Sequence, residues 1–257
     1  MATITDPLAS IRAFNRFELK YLIDRDQIGQ VRDDLSANLD PDPHSPTGSY
    51  AVWSLYYDTV DLQFYWEKID GIRFRRKLRI RHYGDPTTIA AAQPVYVEIK
   101  QRINRVTQKR RLRLPYRAAL ALCDDHLLPD VAEGIDRVVA GEVLSLVSGL
   151  DLRPTTVVGY RRLAMVGRET DGGLRVTFDT LVRGRKTDLD LKAAVDTAPV
   201  VPEDMAIVEV KVNERVPYWL TEKIARHNMA LIRISKYCTS VEGTPPPGLR
   251  LQREEAA

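Results

Sequence analysis

The chain has 257 residues, 44% of them apolar, enough for a sizeable core in one large domain or two small ones. Lys and Arg number 38 against 35 Asp and Glu, a formal net charge of +3, so bulk charge does not mark a nucleic-acid binder. Cys123 and Cys238 lie far apart without metal-type spacing, which argues against a disulfide framework and fits a reducing compartment.

In chain order, residues 14–23 read as a first strand. Asp24 to Leu39 follow at helical spacing, with Asp24 placed to cap and Ile28, Val31, Leu35 and Leu39 on one side. The run from Pro41 through His44 to Pro46 reads as a loop, and Tyr50 to Tyr57 as an aromatic-rich strand. Leu62 to Ile69 predicts a short helix. Strands are expected at 73–83, 94–103 and 106–114, with Asn104 marking a hairpin turn. Residues 116–149 have helical spacing, with breaks at Gly134 and Gly141. Strands resume at 155–168 and 173–180 around the turn Asp171-Gly172-Gly173. Residues 184–204 read as an irregular excursion, 206–213 as a strand, and Pro217 to Met229 as a helix with Pro in its first turn. Residues 1–13 are expected to be a flexible N-terminus, 14–240 one domain, and 241–257 a disordered tail. No apolar stretch reaches transmembrane length and no leader is evident, so the expectation is a cytoplasmic protein.

The chemical signal is local. Six Arg or Lys fall within residues 73–81 and seven within 100–113. Strand side chains alternate between faces, so Lys77, Arg79 and Arg81 share one face while Leu78 and Ile80 share the other. Glu18-Leu19-Lys20, Glu98-Ile99-Lys100 and Glu209-Val210-Lys211 repeat a Glu-x-Lys pattern with apolar residues between. Several such strands turned the same way would line a cavity with cations, a lining suited to a chain of phosphates. The same pattern would serve a barrel with an apolar interior and its charges outside, and residue pattern alone leaves both open. The sequence carries no zinc motif, no GxxxxGK[ST], no GxGxxG and no GxSxG.

Nine motifs occur in order: Phe17-Glu18-Leu19-Lys20-Tyr21, Ser54 to Thr59, Lys77 to Arg81, Val97 to Lys100, Lys109-Arg110-Arg111, Tyr160-Arg161-Arg162, Leu174 to Thr180, Val208 to Lys211, and Ile234 to Tyr237. Together they resemble the VTC domain, the polyphosphate polymerase domain of vacuolar transporter chaperones, in a stand-alone bacterial form. That domain is one of the CYTH-like triphosphate tunnel metalloenzymes. The resemblance covers roughly residues 14–240. It implies an α+β fold with a closed antiparallel tunnel β-barrel of about eight strands and flanking helices. It also implies transfer of the γ-phosphate of ATP onto a growing polyphosphate chain, with Mn²⁺ or Mg²⁺ as cofactor. ATP and inorganic polyphosphate are the implied partners, with no nucleic acid, and a membrane-protein partner stays open.

Carried over by motif, Arg79, Arg81, Lys211 and Glu209 would be catalytic. Lys20, Lys100, Lys109, Arg162, Arg175, Ser235 and Lys236 would bind substrate, and Glu209 would hold the metal. Glu18 and Glu98 read as ion-pair partners of lysines, Ser235 alternatively as a helix-end or turn hydroxyl, and Trp53, Tyr56 and Tyr57 as packing. His82 falls on the face opposite Arg79. Other tunnel enzymes open with Glu-x-Glu-x-Lys, and Arg16 stands where the first Glu would be. That departure weakens a cyclase or triphosphatase reading. A tunnel triphosphatase, or a non-catalytic binder of polyphosphate or nucleotide, remains the alternative.

Overall fold

The computed structural model describes residues 12–14, as backbone, and 17–243 apart from 44, 46, 47, 105, 131, 132, 169, 170, 194, 195 and 214. Arg16 and His44, and the expected N-terminal and C-terminal tails over 1–11 and 244–257, lie outside the described residues.

The elements in chain order are β1 (Arg12–Phe14), β2 (Phe17–Asp24), α1 (Ile28–Leu35), β3 (Leu39–Pro41), β4 (Ser49–Asp58), α2 (Gln63–Ile69) and β5 (Phe74–Tyr83). Then come β6 (Pro94–Ile103), β7 (Val106–Pro115), α3 (Tyr116–Cys123), α4 (Ile135–Leu150), β8 (Arg153–Gly167) and β9 (Arg175–Arg185). The last are β10 (Ala198–Pro199), β11 (Met205–Val212), α5 (Tyr218–Arg226), β12 (Ala230–Leu231) and α6 (Lys236–Glu242). The chain divides into two compact units, residues 1–15, 53–157 and 186–195 in unit one and 16–52, 158–185 and 196–257 in unit two.

In unit one the strand order is β1-β7-β6-β5-β4. β5, β6 and β7 pair antiparallel over their full lengths. The β6–β7 connection turns at Asn104, which takes φ 53° and donates its backbone N–H to the Arg73 carbonyl at 2.8 Å. One face of this sheet is apolar: Leu55, Tyr57, Leu78, Ile80, Val97, Ile99, Leu112 and Leu114 pack with Ala119 and Leu122 of α3 and Val139, Val143 and Val147 of α4. Burial of this face at about 25 cal/mol per Å² of apolar surface is what fixes the register, since a one-residue slip would turn every cation into the core. Asp58 starts α2, its Oδ1 accepting from the Phe64 N–H at 2.8 Å and its Oδ2 from the Tyr65 N–H at 3.0 Å.

In unit two the order is β8-β9-β11-β2-β12, with β3 on β8 and β10 on β9. β11 pairs antiparallel with both β9 and β2. Tyr21, Ile23, Val176, Phe178, Val208 and Val210 face Val31 and Leu35 of α1 and Leu220 of α5. Gly173 takes φ +95°, and an added Cβ would meet the Asn213 side chain at 2.1 Å, so the tight turn there requires glycine.

The predicted α+β class and antiparallel pairing hold. Twelve strands are described, four of them only two or three residues long, against about eight expected. Neither unit's strand order returns to its starting strand, so closure into a barrel is not part of the observed pairing. The helix expected over 24–39 is shorter: a 3-10 turn Arg25–Gln27 precedes α1, and Leu39 already lies in β3. Gly141 does not break α4. Its cost of about 1 kcal/mol relative to Ala is small beside the packing of the helix's apolar face. Pro217 is the N-cap of α5 and not its first residue. β9 runs on to Arg185, into the expected irregular stretch, and α6 was not foreseen.

Candidate functional site

The face of the unit-one sheet away from its apolar core carries a charge cluster. Across β5, β6 and β7, Arg79 lies opposite Glu98 and Glu98 opposite Arg111, while Lys100 lies opposite both Lys77 and Lys109. The Glu98 side chain is fully buried, and four cations surround it. Arg79 approaches Oε2 through Nη2 at 2.6 Å and Nε at 2.9 Å. Lys109 Nζ stands 2.6 Å and Arg111 Nε 2.7 Å from Oε1, and Arg81 Nη1 is 3.9 Å from Oε2. Arg79 Nη1 also donates to the Tyr56 hydroxyl at 2.9 Å, and Arg81 Nε to the Ser54 hydroxyl at 3.1 Å.

Burial alone would raise the Glu98 carboxyl, but Arg79, Arg81, Lys109 and Arg111 outweigh it and hold it well below the usual carboxylate range. Lys109 is pushed down to about 7, by desolvation first and then by Arg111, Arg79 and Arg81, with Glu98 opposing. The Tyr56 phenol comes down to about 8, because Arg79, Arg81 and Lys77 together overcome its burial. Arg110 points the other way, toward Glu142 on α4.

Unit two carries a second cluster. Glu209 on β11 lies opposite Lys20 on β2 and Thr177 on β9. Its Oε1 stands 2.8 Å from Lys236 Nζ and 3.5 Å from Lys20 Nζ. Its Oε2 stands 2.6 Å from Lys211 Nζ and 3.2 Å from Arg162 Nη2. Asp179 takes both arms of the Arg162 fork at 2.6 Å each, and Lys236 Nζ at 2.6 Å. The Tyr160 ring lies under this pair, its centroid 5.1 Å from the Arg162 guanidinium carbon and 5.0 Å from Lys236 Nζ. Burial would raise Glu209, but Lys211, Lys236, Lys20 and Arg162 hold it well below its ordinary value. Desolvation brings Lys211 down to about 8 despite Glu209 and Glu18. For Lys236, Asp179 and Glu209 overcome desolvation and raise its pKa.

The expected site residues thus fall into two clusters, one in each unit. Arg79, Arg81 and Lys109 belong to the first, with Lys100 next to Lys109 in the register. Lys20, Arg162, Glu209, Lys211 and Lys236 belong to the second. Arg175 lies opposite Lys211 but pairs with Asp42 at 2.5 Å and donates to the Tyr50 hydroxyl at 3.3 Å. Ser235 caps α6, its Oγ accepting from the Cys238 N–H at 3.3 Å. His82 is buried on the core side, where desolvation lowers its pKa.

Sequence reading gave no site role to Asp179, Arg111, Tyr56 or Tyr160, and gave Glu98 only an ion-pair role. Strand parity could have found three of them. Arg175, Thr177 and Asp179 alternate onto one face, as do Lys109 and Arg111, and as do Ser54 and Tyr56.

Glu209 as the expected metal carboxylate does not fit this arrangement. Both of its oxygens face cations within 3.5 Å, which a divalent ion would have to displace. Among the described residues no three or more His, Cys, Asp or Glu side chains are grouped to hold an ion. Among them, too, no helix is long and apolar enough to cross a membrane. Cys123 and Cys238 are both buried and free.

A vacuolar transporter chaperone complex subunit 4 from Trypanosoma cruzi is 24% identical over 224 residues, covering 74% of this chain and 28% of that protein. The chain therefore spans little more than a quarter of that relative's length. A candidate adenylate cyclase from Bacillus halodurans superposes with a TM-score of 0.51 at 11% identity, over 88% of this chain and 95% of that one. That likeness shows the fold alone. A candidate adenylyl cyclase from Hippeastrum, with a dominant triphosphatase activity, aligns with a TM-score of 0.49 at 16% identity over 90% of this chain and 97% of that one. The family model of the VTC domain matches residues 15–244, so the chain belongs to the VTC domain family.

Proposed function

We propose that the protein is an ATP-dependent polyphosphate polymerase, transferring the γ-phosphate of ATP onto a growing polyphosphate chain. One observation carries the reading. In each unit of a VTC-domain chain a buried glutamate is surrounded by four cations, so each cluster holds more positive than negative charge. Isolated surface cations would not need such a counter-charge. A set of Arg and Lys packed on one face does, because their mutual repulsion must be offset while no ligand is bound. The glutamate fixes their positions without neutralising them, and an entering polyanion takes up the remainder.

Phosphoryl transfer asks mainly for positioning and for stabilisation of charge on the transferred group. An Arg fork such as that of Arg79 can bind two oxygens, whereas Lys20, Lys109, Lys211 and Lys236 act as point charges, and Arg162 keeps both arms on Asp179. An oxygen of the terminal chain phosphate attacks the γ-phosphorus, and the bond from that phosphorus to the β–γ bridging oxygen breaks. ADP leaves and the chain is one phosphate longer. No protein nucleophile is needed. In this reading Arg79 and Arg81 in unit one, and Lys211 in unit two, each stabilise charge on the phosphates that their own cluster binds, and Glu98 and Glu209 position the cations. The divalent-metal dependence implied by the family resides with the nucleotide, which enters as its Mn²⁺ or Mg²⁺ complex.

The test is purified protein with ATP and Mn²⁺, its products resolved by chain length on a gel. A ladder of long polyphosphate supports the polymerase. Orthophosphate alone would establish a triphosphatase, and binding without turnover a sensor.

A further inference from the structure

We propose that Arg111, Tyr96 and Tyr83 form a stacking platform for the base of the nucleotide, at one end of the unit-one cluster. The proposal rests on reading that cluster as a phosphate site. Tyr83 lies two residues beyond Arg81 on β5, about 7 Å along the strand, and on the same face. Tyr96 lies opposite Arg81 on β6, on the face of Glu98. The two rings meet edge to face, with centroids 5.7 Å apart at 76°.

The Arg111 guanidinium carbon lies 4.4 Å from the Tyr96 centroid and 5.8 Å from the Tyr83 centroid. Three groups hold the fork in place: Arg111 Nε bonds Glu98 Oε1 at 2.7 Å, Nη2 bonds the Tyr83 hydroxyl at 2.8 Å, and the Tyr96 ring backs it. The side chain is nevertheless 39% exposed, unlike the buried Glu98 it binds. A held cationic plane, backed by an aromatic ring and partly exposed, is suited to receive a flat π-system. Its position fits a nucleotide. With phosphates on Arg79, Arg81 and Lys109, the base would lie further along the same strands, where Tyr83 on β5 and Tyr96 on β6 join the cations and Arg113 of β7 lies opposite Tyr96. Stacking engages the π-face that every base presents, so the platform should accept purines alike.

The experiment is calorimetric titration of the full chain and of Tyr96→Leu and Tyr83→Leu with ATP, GTP and inorganic tripolyphosphate. We expect either variant to lose about fivefold to a hundredfold in affinity for ATP and GTP, the usual range for one lost stacking partner. Tripolyphosphate affinity should stay within about twofold of wild type, and Tyr96→Phe should bind all three as wild type does. Equal weakening of ATP and tripolyphosphate, or undiminished ATP binding, would overturn the platform while leaving the phosphate site intact. If the wild-type protein bound neither ATP nor tripolyphosphate, the phosphate-site reading would fall first and the platform with it.

Discussion

Replacing Glu98 by Gln removes the counter-charge of the unit-one cluster while keeping the shape of the side chain. Arg79, Arg81, Lys109 and Arg111 would then face one another with nothing between them, and the new amide nitrogen would point a donor at donors. Removing one partner of a buried ion pair typically costs about 3–5 kcal/mol. For a chain of this length about 1 kcal/mol moves Tm by roughly 2–4 °C, so the expected fall is about 6–20 °C. The same change makes the empty cluster a stronger anion trap. Tripolyphosphate at about a hundred times its Kd stabilises a protein by about 2.7 kcal/mol, and the variant should gain more than the wild type does. Differential scanning fluorimetry with and without tripolyphosphate measures both effects. Glu142→Gln is the control, because Glu142 pairs with Arg110 on the opposite face of the sheet, and its Tm should move little. The reasoning is refuted if Glu98→Gln melts with the wild type in the absence of ligand, or if tripolyphosphate shifts it less.

Arg79→Ala and Lys211→Ala should each lower polymer synthesis by on the order of a hundredfold, the usual effect of deleting one charge contact to a transition state. Their melting temperatures should change little, since each carboxylate keeps three of its four cations, and loss of folding in place of turnover would make these residues structural. Arg162→Ala should instead destabilise the protein by about 3–5 kcal/mol in chemical denaturation, because it strands the buried Asp179 with Lys236 alone. A bound anion favours protonated lysine, so binding takes up protons above the depressed values of Lys109 and Lys211. Affinity for a sulfated polyanion, which does not titrate here, should therefore fall as pH rises past about 7 and again past about 8. The fall should reach about tenfold per pH unit per lysine, and Lys109→Arg should remove its first part. Glu98 and Glu209 run the opposite way: both are depressed, so the stability they give is present above about pH 4.5 and is lost only well below it. Acid titration of the fold checks that order. Glu209→Gln should leave the Mn²⁺ dependence of turnover intact, because that carboxylate is already engaged by lysine and arginine. A lost metal response in the variant would restore Glu209 as the ion's ligand.

The strands and their polar faces were legible because period-two alternation is a local property. Lys77-Leu78-Arg79-Ile80-Arg81 and Glu209-Val210-Lys211 state which side of the sheet each residue takes. Partner choice was not legible, since it depends on register between strands remote in sequence. Nothing near Asp179 announces that Arg162 and Lys236 will close on it, 17 residues before and 57 residues after. The Glu98 hub needs three strands in register, so the sequence showed only a Glu-x-Lys. The pattern predicts an ion-pair partner of lysines, and the pairing brings Arg79, Arg81, Lys109 and Arg111 to it. The short α6 was missed because seven residues carry little periodicity. Its one cue is Ser235 at the N-cap, for which the sequence leaves two readings open, phosphate ligand and helix-end or turn hydroxyl, and the structure shows it capping α6. Gly141 was over-read as a break because propensity was weighed without the packing of α4.

The measurement that bears most directly on the polymerase reading uses ATP labelled at the γ-phosphate. Purified protein, Mn²⁺ and labelled ATP are incubated, and the label is partitioned between acid-insoluble polymer and free orthophosphate while ADP is counted. A polymerase predicts one labelled phosphate in polymer for each ADP formed, with the yield lowered by on the order of a hundredfold in Arg79→Ala. Label recovered wholly as orthophosphate, or no ADP above background, would contradict it.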